Sequence, residues 1–398
     1  MTSFVGYADA VFRSQKSVFS ILISYESTRK VERKIMSDKK MRIGFVGVGG
    51  MGQRAHLRNY LTIPECEVVA LAEVREKTGQ LVGTRMGIPK VYKNHTEMLA
   101  AEKLDGVVAS QQFDVHATLL PEIYGKVRHV FTEKPLSVSI KAGEKLAKLA
   151  AKSGTVHMVG YHKRSDPATQ YAVNVINGWK KSGEMGKMKY VRILMPAGDW
   201  TAGGLVGVLN AGDQPSQQIT REDAKLVDLP GAKENTAAWG WEGLAKEYVG
   251  FVNYYIHQVN YMRHMLGEPY KVTFADKSGV LLVVESKSGV TGTIEMTPYR
   301  TTIDWEESIL VAFEKGYVKV ELPAPTTINR AGRVEVFSDP DGGTPTRMSP
   351  TLPWVHAMRQ QAINFVKVCR GEMEPPCTAA EAVEDLKVAA AYIHMWKG

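Results

Sequence analysis

Met41-Arg42-Ile43-Gly44-Phe45-Val46-Gly47-Val48-Gly49-Gly50-Met51-Gly52 is the stretch on which the reading of this 398-residue chain turns. Its first six residues are a short apolar run rich in strand formers, and a helical pattern follows from about Gln53 to Leu61. Between them lie Gly47, Gly49 and Gly52 in Gly-x-Gly-x-x-Gly spacing, with Gly50 and Met51 inside the motif. The bare pattern is weak. It gains force because the next strand-like run, Glu67 to Ala72, ends at an acidic residue, Glu73. Strand, glycine turn, helix, strand and acid in that order predict a dinucleotide-binding unit. The first glycine makes the tight turn, the second lets backbone N–H groups approach a pyrophosphate at the helix N-terminus, and the third permits close helix–strand packing. A carboxylate at 73 accepts hydrogen bonds from a ribose diol and repels a 2′-phosphate, which favours NAD over NADP. Arg75 is the residue that could serve a 2′-phosphate instead.

Outward from this unit, strand-like runs at 106–110, 129–132 and 156–160 alternate with helical ones at 77–86, 96–101, 115–124 and 140–153. That alternation predicts a doubly wound parallel sheet, a Rossmann domain over 41–162. The second half differs. A helix over 167–182, a strand at 189–195 and a long helix over 246–266 precede alternating runs at 271–275, 280–286, 291–296, 308–313, 318–322 and 333–337. These predict an α/β domain over 163–398 with a large, open, mostly antiparallel sheet. Two helices close the chain, at 353–370 and 379–396, the last expected to return to the Rossmann domain. Residues 196–243 show little periodicity, as functional loops often do.

Net charge is +8, which raises a nucleic-acid surface as an option. However, residues 1–40 hold eight basic and four acidic residues, leaving 42 basic and 38 acidic in the other 358. The body is close to neutral, and no nucleic-acid partner is expected. Residues 1–40 are expected to lie outside the fold, with an organellar transit peptide as the alternative. No run reaches the ~18 apolar residues a membrane span needs, and a cytoplasmic location is expected. The three cysteines, Cys66, Cys369 and Cys377, form no CxxC pair, and no His or carboxylate spacing points to a metal.

Glu133-Lys134-Pro135 ends the 129–132 strand, at the carboxyl edge where ligands bind in such sheets. With the glycine motif, Arg164-x-x-Pro167 and a helix carrying His257 before Leu266-Gly-Glu-Pro269, it resembles the glucose–fructose oxidoreductase/inositol dehydrogenase (Gfo/Idh/MocA) family over about residues 41–397. The resemblance implies that Lys134 orients a reacting hydroxyl while an Asp-x-x-x-His pair accepts its proton. Here His257 matches, but Asn253 stands where the family has Asp, and Asn260 where a second acid is frequent. Positions 253, 257 and 260 share one face of a continuous helix. Neutral Asn253 lends the imidazolium no charge, so Lys134 or Tyr254 is the alternative proton acceptor. Where the family often reads Thr-Pro-Asn-x-x-His, this chain has Gln111-Gln112-Phe113-Asp114-Val115-His116.

Cofactor contacts are therefore expected from Gly47, Gly49, Gly50, Met51, Gly52, Glu73, Gln111, His116, Glu133, Lys134 and Arg164. Substrate contacts are expected from Lys134, Lys163, Trp200, Asn253, His257 and Asn260, with Trp239 and Trp241 as further stacking candidates. His56, His264 and His356 have no partner spacing and read as structural. The expected activity is NAD-dependent hydride transfer from a secondary hydroxyl of a sugar, glycoside or cyclitol, in a homodimer or homotetramer. Two rivals stand beside it: an NAD-dependent glycosidase or lyase using transient oxidation, and a non-catalytic sugar sensor.

Overall fold

The computed structural model describes residues 39–202, 207–222 and 243–397. The expectations for residues 1–38, Trp239 and Trp241 lie outside the described residues. Within them, the first six strands are β1 (Met41–Val46), β2 (Cys66–Ala72), β3 (Lys90–Tyr92), β4 (Gly106–Ala109), β5 (His129–Glu133) and β6 (Val156–Gly160). They form one parallel sheet in the order β3-β2-β1-β4-β5-β6. Ile43, Phe45, Val108 and Phe131 are fully buried, because helices cover both faces of the sheet. The order reverses between β1 and β4, which opens a crevice at the carboxyl ends of the strands. The glycine turn after β1 and the Glu-Lys-Pro corner after β5 both lie there.

A second sheet holds β7 (Met188–Ala197), β8 (Tyr270–Ala275), β9 (Leu281–Ser286), β10 (Thr291–Arg300), β11 (Glu307–Phe313), β12 (Gly316–Leu322), β13 (Arg333–Ser338) and β14 (Thr346–Met348). Its order is β14-β13-β12-β11-β7-β10-β9-β8, antiparallel except for the β7–β10 pair. Burial alternates along β11: Ile309, Val311 and Phe313 point inward while Ser308, Leu310 and Ala312 are half-buried. Helices Pro167–Ser182 and Ile256–Leu266 cover the inward face, Trp179 meeting Phe313 edge-on. The last helix, Ala379–Lys397, packs on Ile140–Ser153 of the first domain, and Val159 N donates to Cys377 O just before it.

Two expectations change. The long helix is not continuous: Gly243–Tyr254 and Ile256–Leu266 meet at Tyr255, whose carbonyl accepts from Gln258 N, a tighter turn than the α-helix makes. The Tyr255 hydroxyl is tied to Thr297 Oγ1. In the aperiodic region, residues 207–222 run back across the Rossmann domain. Asp213 accepts from Lys77 N (2.7 Å) and Thr78 N (3.1 Å) at the start of helix Glu76–Met86, and Glu222 accepts from Val138 N and Ser139 N. These carboxylates satisfy backbone donors that otherwise lack partners at helix starts and turns.

Candidate active site

The glycine turn borders a cavity of about 750 Å³, lined also by Glu73, Arg75, Ser110, Gln111 and residues 217–221. Gly47 has φ +80°, open to glycine at no steric penalty. A Cβ on Gly52 would come within 2.5 Å of Ser110 Oγ and 3.0 Å of Gly47 O. On Gly49 and Gly50 it would meet nothing within 4 Å, so the backbone there is bare toward the cleft. That is the cradle a pyrophosphate requires, and the residues present fit a dinucleotide. Glu73 Oε2 accepts from Val48 N at 2.9 Å, so the carboxylate also ties β2 to the turn. Arg75 grips both Glu73 oxygens at 2.9 Å. Burial alone would raise the Glu73 pKa, but Arg75 and the backbone N–H donors outweigh it and hold the group ionised, below the usual carboxylate range.

Next to it, and sharing Gly49, Ser110, Gln111 and Gln112, is a cavity of about 490 Å³. Gly50, Met51, Glu133, Lys134, Lys163, Trp200, Asn253 and His257 line it. Lys134 is half-buried, and its Nζ donates to the backbone carbonyl of Asn253 at 2.5 Å. Burial pushes its pKa down to about 8, with Glu133 opposing and Lys163 adding to the shift. His257 is held well below the ordinary imidazole value by burial, then by Lys134, His162 and Lys163. Burial moves Tyr254 the other way, up to about 12.

Several expected contacts are corrected. Arg164 lines neither cavity. It is buried, with its guanidinium bonded to Asn260 Oδ1 (2.7 Å), Pro376 O (2.6 Å) and Glu381 Oε1 (3.1 Å). Asn260, three positions after His257 on the same helix, is locked into the same network and donates to Asp385 Oδ2 at 2.8 Å. His116 also lies outside both cavities, fully buried with Nδ1 on Leu136 O. Asn253 engages Lys134 through its main chain, which no side-chain pattern signals. Lys163 reaches the cavity already paired with both oxygens of Glu307.

The sequence reading missed other groups. His56, read as structural, donates from Nε2 to Glu133 Oε1 at 2.7 Å, and so joins the helix after the glycine turn to the Glu-Lys-Pro corner. Its signal was faint: one His on the first Rossmann helix. Glu307, at the start of β11, gathers Lys163, Gln258 Nε2 (2.7 Å) and Trp305 Nε1 (3.3 Å) at the cavity wall. A strand-end acid 144 positions from its lysine carries no local signal. No group of three metal-ligating side chains occurs among the described residues, and no described helix is long and apolar enough to cross a membrane.

A bare glycine cradle, a carboxylate at the end of β2 and a lysine-bearing pocket beside them are the features of a dinucleotide-binding oxidoreductase. The family model described as "Oxidoreductase family, NAD-binding Rossmann fold" matches residues 41–161, the part of the chain that holds the parallel sheet. The chain is 23% identical over 302 residues to myo-inositol 2-dehydrogenase of Thermotoga maritima, covering 72% of this chain and 77% of that protein. It is 24% identical over 156 residues to scyllo-inositol 2-dehydrogenase (NAD(+)) of Bacillus subtilis, covering 39% of this chain but only 44% of the relative. Among solved structures, apo scyllo-inositol dehydrogenase from Lactobacillus casei superposes with a TM-score of 0.61 at 16% identity, over 91% of this chain and 97% of that one.

Proposed function

We propose that this protein oxidises a secondary hydroxyl of a cyclitol, sugar or glycoside with NAD. The observation that carries the reading is Lys134: a lysine beside the glycine cradle, with its amine aimed into the adjoining cavity and its pKa pushed down to about 8. When bound, NAD supplies the hydride acceptor. Lys134 takes the hydroxyl proton, the Asn253 carbonyl fixes the direction of its Nζ, and neutral His257 holds the substrate oxygen by a hydrogen bond. A base works best when its pKa lies near the working pH, which suits Lys134 better than His257 or Tyr254. This revises the assignment of proton acceptance to His257. A panel of polyols, sugars and glycosides assayed at 340 nm tests the activity, and absence of NADH from every member would remove the reading.

The acceptor assignment has a pH signature. If neutral Lys134 is the base, kcat/KM for alcohol oxidation rises with pH and levels off above about 8, and ketone reduction falls across the same window. An oxidation rate that instead declines above 8 means that cationic Lys134 is required and returns the proton to His257.

Cofactor choice rests on the Glu73–Arg75 fork, which occupies the cation a 2′-phosphate would need. Glu73→Ala frees Arg75 and removes the repelling carboxylate. The NADP-to-NAD ratio of kcat/KM is expected to rise on the order of tenfold or more, with NAD use weakened. An unchanged ratio in steady-state kinetics would rule this out. The reading also includes a cytoplasmic homo-oligomer paired through the half-exposed face of the eight-stranded sheet, which analytical ultracentrifugation tests.

A further inference from the structure

We propose that residues 207–222 complete the nucleotide site and strap the bound dinucleotide in place, so that it leaves only when this segment lifts. This rests on the dinucleotide-binding reading and adds to it a part that lies outside the Rossmann motif. Pro215, Gln217, Gln218, Ile219, Thr220 and Arg221 line the cavity of about 750 Å³ together with the glycine turn, Glu73 and Gln111. The segment is fastened on both sides of that cavity. Toward β2, Ser216 N donates to Val74 O at 2.7 Å, and Asp213 accepts from Lys77 N (2.7 Å), Thr78 N (3.1 Å) and Thr78 Oγ1 (2.6 Å). Toward β4, Thr118 Oγ1 donates to Thr220 O at 2.9 Å, Arg221 pairs with Gln112 and Asp114, and Glu222 N donates to Asp114 O at 2.6 Å.

The strand order turns these fastenings into a crossing. β1 lies between β2 and β4, and the glycine turn ends β1, so a chain tied after β2 and again after β4 passes in front of the turn. Two strand spacings are about 10 Å, and the four residues from Ser216 to Thr220 reach about 14 Å at most. The crossing therefore has little slack. Core packing does not account for it: Gln217, Gln218, Thr220 and Arg221 are exposed, Ile219 is half-buried, and the segment has no helix or strand of its own. A loop pinned in this way loses conformational freedom, and little apolar burial offsets the loss. What the pinning secures is a wall of amide and guanidinium groups across the cradle, where the expected ligand is polar and anionic. Asp213 and Glu222, the carboxylates near its two ends, lie outside the cavity lining, so either fastening can be released without touching a residue that meets the nucleotide.

The test reads nucleotide binding on the full chain, with NADH as the probe, or NADPH where that binds more tightly. Release is followed in stopped flow as the loss of bound-nucleotide fluorescence when excess oxidised nucleotide is mixed with the loaded protein. Asp213→Ala removes the fastening on helix Glu76–Met86, and losing such a cap weakens it on the order of tenfold. Release is expected to be faster by about that factor or more, with one nucleotide still bound per chain. Asp213→Asn keeps an acceptor oxygen and should stay within about threefold of wild type. Release from Asp213→Ala within about twofold of wild type overturns the proposal, as does a stoichiometry well below one, which marks damage to the cradle instead. If Asp213→Ala does not fold, wild type alone decides. Trypsin cleavage after Arg221, read by mass spectrometry, is expected to slow about tenfold or more at saturating NADH, and equal cleavage with and without it overturns the proposal. Failure of wild type to bind either nucleotide removes the dinucleotide reading and the strap with it, whereas binding with unchanged release removes the strap alone. None of these readouts needs a polyol, so absence of NADH from the polyol panel counts against the oxidation and not against the strap.

Discussion

Lys134→Ala is expected to lower kcat/KM for polyol oxidation by about 10³-fold while NAD binding stays within about threefold of wild type. The two effects separate because the amine and the glycine cradle sit in adjoining cavities. Lys134 lines the smaller one, and Gly47, Gly49 and Glu73 shape the larger. Removing a group that takes the proton in the transition state lowers kcat, whereas a pyrophosphate would be held by backbone amides of the glycine turn, which the substitution leaves alone. Lys134→Arg should be nearly as impaired, since a guanidinium stays charged and cannot accept a proton at neutral pH. Stopped-flow hydride transfer and calorimetric NAD titration together check this. A variant that kept near wild-type turnover would show that Lys134 is not at the chemistry.

The second large effect concerns stability. Asp385, on the last helix, is fully buried and forms an ion pair with Arg263 at 2.7 Å while accepting from Asn260 Nδ2 at 2.8 Å. Burial raises its pKa, with Arg263, Asn260 and Arg164 opposing. Asp385→Ala leaves Arg263 as a buried, uncompensated cation, and breaking such a pair from one side costs about 3–5 kcal/mol. A lower denaturant midpoint by urea unfolding is expected, together with loosening of the contact between the last helix and the Rossmann domain. The double substitution Arg263→Met with Asp385→Leu should recover most of the loss, because removing both charges leaves none unpaired. A single variant as stable as wild type would mean that the pair contributes nothing.

Arg164 and His257 show where sequence reading of the site succeeds and where it fails. His257 lies four positions after Asn253, across the turn at Tyr255, and both line the cavity as the sequence reading expects. Arg164 follows Lys163 directly, yet Lys163 reaches the cavity and Arg164 turns away to Asn260 and Glu381, since consecutive residues of a tight turn point in different directions. Asn260 shares helix Ile256–Leu266 with His257 yet misses the cavity, because Arg164 and Asp385, both distant in sequence, hold its amide.

By itself, the sequence determined the parallel sheet, its glycine turn, the acid at the end of β2 and the lysine corner after β5. Each is written in local periodicity or in motifs spanning a few residues, where backbone geometry follows from neighbouring side chains. Only the tertiary structure decided that His56 buttresses Glu133, that the Asn253 main chain aims Lys134, that Glu307 neutralises Lys163, and that His162 and His257 share one wall. Those pairings join residues up to 144 positions apart, and the physical terms that set them, burial and charge contact, exist only once distant parts of the chain have packed together.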